Sequence, residues 1–200
     1  MAPSRAALQR MINECAEYCN KFGLTFNAKK SKILIFCKKT IDKEQIKPVY
    51  LNGDKVDIVD SVKYLGATIV SDKGLSFSSS KDLLSFYRAS NAILRATNRP
   101  SEEVLLHLLY SNCIPILTYA CAVKEYPARQ MHDCNTAVND ALRFIFGFNR
   151  WESVRQLRES FGYKSLTELF ELAKKKFNMS LLNHRNPVIS HIARNFAFNE

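Results

Sequence analysis

The sequence predicts an α+β protein: a small antiparallel strand and hairpin region with one helix over residues 1–74, then an all-helical bundle over 75–200. Three observations carry this reading. Short β-branched runs flank Asn52-Gly53, a pair that takes positive φ at both positions at little steric cost and so makes a two-residue hairpin. After Phe77 the apolar residues recur at three and four instead of two. Hydrophobic residues make up 46% of a 200-residue chain, enough to bury a core.

The elements follow in order. Ser4 caps a first helix over residues 4–22, where Leu8, Ile12, Cys15, Cys19 and Phe22 read as one apolar stripe, and Gly23 stops it in the left-handed conformation. Leu24–Phe26 and "KILIFC" at 32–37 read as strands, the second covered on both faces. A lysine-rich link, Lys38–Lys47, leads to the hairpin "VYLNGDKVDIV". "SVKYLGATIV", residues 61–70, reads as one further strand, with a turn at Asp72–Gly74.

From there the pattern is helical. Residues 79–98 place Leu83, Tyr87, Ser90, Leu94 and Thr97 on one face. Pro100-Ser101-Glu102-Glu103 starts a second helix with carboxylates where the helix dipole favours them. It carries Leu105, Leu108, Leu109 and Cys113 until Pro115 kinks or ends it. Pro127 opens a third, striped by Met131, Cys134, Val138, Leu142 and Ile145 and closed by Gly147. A short helix over 151–160 ends before Gly162. Ser165 and Glu168 then make a capping box for a longer helix that buries Leu166, Leu169, Phe170, Ala173 and Phe177. A last short helix follows Pro187, and Trp151 is expected to pack the final helices together.

The formal charge of +10 is uneven: residues 1–100 hold 17 Lys/Arg against 9 Asp/Glu, and residues 101–200 hold 12 against 10. A basic excess on one half points to a polyanionic partner, most often nucleic acid; the plainer alternative is a solubilising surface. Cysteines 15, 19, 37, 113, 121 and 134 sit in apolar patterns without CxxC pairing and read as reduced thiols filling core space. Cys15 and Cys19 lie four apart on a helix, and His132 and Cys134 do not complete a zinc set with them. The N-terminus has no apolar signal core, and no run reaches the ~18 apolar residues that cross a membrane. The expected location is intracellular, nuclear or cytoplasmic, with no membrane partner.

The stretch "TFNAKKSKILIF" at 25–36 sets Asn27 among lysines, and no acidic residue occurs from Tyr18 to Ile41. With its upstream helix it resembles the helix and motif D that follow the catalytic strand in reverse transcriptases of non-LTR, LINE-type retrotransposons. Asn-x-x-Lys-Ser of that motif falls on Asn27, Lys30 and Ser31. "LNGDKVDIVDSVKYLGATI" is similar to the family's hairpin and primer-grip strand, with Tyr-Leu-Gly on Tyr64, Leu65 and Gly66. "IPILTYACAV" and the helices after it resemble the thumb and the region beyond it. The resemblance covers roughly residues 2–195. It implies a distal palm remnant over 1–74 and a thumb and post-thumb region over 75–200.

The family's active site needs a Tyr-x-Asp-Asp turn and a further aspartate to hold two metal ions. This sequence contains no adjacent Asp-Asp, and "APSRAALQ" resembles the family's segment a few residues beyond that turn. The expectation is therefore a chain without the fingers and most of the palm, with no catalytic residues, no metal ligands and no cofactor of its own, Mg2+ belonging to the full-length family. It should not polymerise DNA alone.

Lys30 in such a polymerase would approach the incoming triphosphate; alone, it reads as a solvated lysine beside a strand. Asn27 reads as a turn residue bonding its own backbone. Tyr64, Leu65 and Gly66 would bring a close-approaching backbone to a primer end, against the alternative of a core tyrosine beside a bulge. Lys29, Lys32, Lys38, Lys39, Arg88, Arg95 and Arg99 are candidate phosphate contacts, and Arg88, Arg95 and Arg99 share one helical face. Lys174–Lys176 read better as a solvated face.

Two functions are compatible with these features. One is a nucleic-acid-binding module that takes primer–template or RNA–DNA hybrid without sequence preference. The other is a helical scaffold that self-associates through exposed apolar surface, or a fragment of a longer retrotransposon polyprotein with no separate function.

Overall fold

The computed structural model describes residues 1–37, 46–95 and 100–197. The fold is α+β and divides into two compact units, Met1–Phe77 and Ser78–Glu200.

In the first unit, helix α1 (Arg5–Lys21) begins where the Ser4 side chain accepts from the Ala7 N–H, and Gly23 follows its end at φ 69°. Strands β1 (Lys32–Ile33), β2 (Val49–Leu51) and β3 (Asp54–Ile58) form a sheet in the order β1-β3-β2, with β1 parallel to β3 and β2 antiparallel to it. Asn52 (φ 53°) and Gly53 (φ 88°) make the two-residue turn that joins β2 to β3. Strands β4 (Ser61–Tyr64), β5 (Ala67–Ser71) and β6 (Leu75–Phe77) form a second, antiparallel meander.

The first unit's core is thin: Ala16, Ala28, Leu51 and Val56, flanked by Ile12 and Ile33. Polar anchors supplement it. The Gln9 side-chain amide donates to the Tyr50 carbonyl at 2.7 Å and accepts from the Tyr50 N–H at 2.8 Å, so it covers the outer edge of β2. The Arg5 guanidinium donates to the Pro48 carbonyl at 2.5 Å.

Four expectations for this unit are corrected. Leu24–Phe26 is not a strand: among the described residues it has no ladder partner, and Leu24 and Phe26 are exposed. Of residues 32–37 only Lys32–Ile33 pair among the described residues, where β3 ends at Ile58 and the ladder ends with it; Phe36 is exposed, so the run is not covered on both faces. Residues 61–70 are not one strand but the hairpin β4–β5, turning at Leu65 (φ 45°) and Gly66 (φ 80°). The apolar stripe assigned to α1 also splits. Ala16 is buried, with Leu8, Ile12 and Cys19 half-buried, whereas Cys15 and Phe22 face solvent.

The second unit is helical. Helices α2 (Ser80–Leu94), α3 (Glu102–Leu108), α4 (Ile114–Thr118), α5 (Ala128–Phe146), α6 (Arg155–Ser160), α7 (Leu166–Leu182) and α8 (Pro187–Ala197) follow in order. Their core gathers Phe86, Leu106, Leu109, Leu117, Cys134, Leu142, Val154 and Leu166 among others. Gly147 ends α5 in the left-handed conformation at φ 68°, where a side chain would meet its own backbone. Ser165 and Glu168 form the expected capping box at the start of α7.

Pro115 does not end its helix. A π-turn, Leu109–Cys113, joins α3 to α4, with the Ile114 N–H donating to the Leu109 carbonyl. The extra residue widens the coil just before a proline that has no N–H to give and whose ring crowds the carbonyl four residues back. On α2 the expected stripe is off by one position. Phe86 is fully buried and Ser90 buried, while Tyr87 is 41% exposed; Thr97 lies outside the described residues. Trp151 does not pack the last helices together, being 84% exposed. Cys113, Cys121 and Cys134 fill core space as read, but Cys15 is exposed and Cys19 and Cys37 only half-covered.

Phe86 carries the largest fully buried side chain among the described residues. Phe86→Ala is expected to lower the stability of the second unit by about 3–5 kcal/mol in chemical denaturation, through lost transfer energy and the cavity left behind.

Candidate nucleic-acid interface

The candidate contacts fall in three places. In the first unit, Asn27 closes a tight turn: its Oδ1 accepts from the Lys30 N–H at 3.1 Å, and its carbonyl accepts from the Ser31 hydroxyl at 2.9 Å. This turn holds Ala28 inward and leaves Lys29 and Lys30 exposed. Lys32 is not free to serve with them. Its Nζ lies 2.6 Å from the Asp57 carboxylate across the β1–β3 pair, and the hydrogen bond from Lys32, then its charge, hold the Asp57 carboxyl below the usual range. Lys38 and Lys39 lie outside the described residues.

The second place is the tip of the β4–β5 hairpin. Tyr64 is 63% exposed, which removes the reading of a core tyrosine. Leu65 presents an exposed apolar side chain from a left-handed backbone, a conformation that costs a non-glycine residue roughly 1–2 kcal/mol, and Gly66 supplies the second positive φ.

The third place is α2. Lys81 and Arg88 on α2 and Arg95 at its C-cap recur at seven residues, so they stand on one side of the helix, about 10 Å apart along its axis. All three are exposed, and the side opposite carries Leu83, Phe86 and Ser90. Among the described residues no carboxylate pairs with any of the three, and Arg99 lies outside them. Lys81 extends the row toward the start of α2, beyond the Arg88 and Arg95 that sequence periodicity singles out; the same seven-residue spacing points to it. Lys174 is only partly a solvated lysine, since its Nζ reaches Glu125 at 2.8 Å, while Lys175 and Lys176 are exposed.

What holds α2 in this rotation is a buried polar cluster that sequence reasoning misses. Lys124, with 1% of its side chain exposed, sits 2.9 Å from the Asp82 carboxylate, and the Tyr126 hydroxyl donates to the same oxygen at 2.9 Å. The Lys124 ammonium also lies 5.3 Å from the centre of the Tyr119 ring. One turn earlier, the Ser79 N–H and hydroxyl both donate to the Gln130 side-chain oxygen, at 2.7 and 2.9 Å. These bonds tie the first turn of α2 to the 119–127 connection and to α5. Burial first, then the hydrogen bond to Asp82, push the Tyr126 hydroxyl well above its ordinary pKa. Among the described residues no group of three or more His, Cys, Asp or Glu stands together to hold a metal ion, and no helix is long and apolar enough to cross a membrane.

Lys124→Met leaves the largely covered Asp82 carboxylate without its cation and is expected to cost about 3 kcal/mol in denaturant unfolding; adding Asp82→Asn should recover part of that loss, because the uncompensated charge goes. A second expectation concerns alkaline pH. Burial raises Tyr110, stacked on Tyr163 with ring centres 3.9 Å apart, to about 12, and Tyr126 is raised too. The unfolded chain loses these protons first, so the stability they contribute is full below pH about 10 and is lost as pH rises through the folded values. Tyrosinate absorbance and helical circular dichroism should therefore change together in that window. No family model, curated protein or solved structure matches this chain.

Proposed function

We propose that this chain is a nucleic-acid-binding module of reverse-transcriptase type, which grips the phosphate backbone of a primer–template or RNA–DNA hybrid without reading its sequence. The observation that carries the reading is the row Lys81, Arg88 and Arg95, exposed on α2 opposite the Phe86 core and without carboxylate partners among the described residues. Cations at a regular pitch on a rigid rod suit a polyanion whose charge repeats along its length, and such contacts position a protein without specifying bases. Lys29 and Lys30 offer a second basic point in the first unit. The choice of hybrid, and the hairpin tip Tyr64–Gly66 as a contact to a primer end, rest on the family resemblance. With no adjacent aspartates in its sequence, the chain is read as binding without polymerising.

A second reading, self-association through exposed apolar surface, draws on one observation: an apolar stripe of α1 that faces solvent.

The first reading is tested by fluorescence anisotropy with a labelled RNA–DNA hybrid across salt. Affinity should fall steeply with salt, and replacing Lys81, Arg88 and Arg95 by Gln should lower the slope of log affinity against log salt by about 1 for each side chain removed. Helical circular dichroism should stay unchanged, since these side chains face solvent. A flat salt response, or a triple variant with unaltered affinity and slope, would sink the reading.

A further inference from the structure

Helix α1 carries two apolar faces. One, with Leu8, Ile12, Ala16 and Cys19, covers the first sheet. The other is Met11, Cys15 and Tyr18, continued by Phe22 at the C-cap, all exposed, with Tyr18 and Phe22 each more than 60% so. At about 100° per residue these four lie within roughly 60° of one another and about a quarter turn from the covered face. Their spacing of four, three and four is that of the apolar seam along which two helices interlock. The Tyr18 and Phe22 rings already lie 5.0 Å apart, a preformed aromatic ridge. Just beyond the helix, Leu24 and Phe26 add further exposed apolar surface.

The flanking charges indicate what covers this seam. Glu14 and Lys21 both border it on the side away from the protein's own core. We propose that the seam pairs with the same seam of a second copy, antiparallel about a two-fold axis, setting Cys15 against Tyr18 and Met11 against Phe22 of the other molecule. In that register Glu14 of each copy comes within reach of Lys21 of the other, twice over, as an isologous interface requires. A parallel pairing has no such match, because it sets Glu14 and Lys21 beside uncharged flanking positions. Lys21 also meets Glu17 of its own helix at 3.3 Å, a contact between two well-exposed side chains that is weak and easily shared. A seam of two heptads is short, so the association is expected to be weak and concentration-dependent. This proposal deepens the self-association reading and is independent of the basic row on α2.

Sedimentation velocity of the full chain over a wide concentration range tests it. The expected result is a monomer–dimer equilibrium that Tyr18→Glu with Phe22→Glu abolishes while helical circular dichroism is kept. Glu14→Lys alone, or Lys21→Glu alone, should weaken the dimer by about tenfold, since each places like charges opposite at two symmetric points. The double swap E14K/K21E, and an equimolar mixture of the two single variants, should restore it. A monomer at every concentration overturns the proposal, as does a dimer indifferent to the seam substitutions or a double swap as weak as the singles. If the chain stays monomeric and the seam substitutions instead cost hybrid affinity, the face serves nucleic acid and the proposal falls. The α2 variants measured by anisotropy report on the other reading separately.

Discussion

The ion pair between Asp82 and Lys124, closed by the Tyr126 hydroxyl, is the constraint on which the second unit's exposed chemistry depends. An ammonium in the core is costly unless a carboxylate meets it, so the pair has one productive geometry. That geometry fixes the rotation of α2 at its first turn, and Phe86, one turn on, fixes it again by filling the core. With both in place the residues opposite have nowhere to go but outward. The basic row is thus a by-product of burial on the other side of the same rod.

The two units solve stability differently. The second gathers large side chains from most of its helices around one centre. The first buries mostly small residues, and its order comes from backbone devices: two turns with positive φ at both positions, the Asn27 turn, and side chains that bond strand backbone. A unit built this way leaves apolar residues at its surface, because its helix has more apolar side chains than the small sheet can cover.

Much of this is legible in the sequence, and the failures share a cause. Helix positions, the Asn52-Gly53 hairpin, the Gly147 stop and the Ser165–Glu168 box depend on local stereochemistry, which the chain states directly. Periodicity favours Tyr87 over Phe86 wrongly, because Leu83, Ser90 and Leu94 fit either phase of a helix, and only packing selects between two adjacent aromatic rings. The Leu65-Gly66 turn is hidden because leucine is no turn signal, yet the pairing of β4 with β5 imposes it. Lys124 is silent because its burial depends on a partner 42 residues away, and nothing local marks a lysine as interior. For the candidate interface, Arg88 and Arg95 are visible through periodicity alone, whereas the loss of Lys32 to Asp57 requires the strand register.

The Gln9 amide on β2 has a consequence for how the first hairpin finds its pairing. Alternate residues of a strand turn both of their backbone groups to the same side. In the observed register Val49 and Leu51 point their groups toward β3, and Tyr50 turns its N–H and carbonyl outward, where one side-chain amide meets both. A slip by one residue would offer that amide the backbone of Val49 or Leu51 while swinging their side chains out of the core. Helix and sheet then agree only on a single alignment. Gln9 therefore acts as a proofreader of register, checking from outside the ladder what the two-residue turn sets from within.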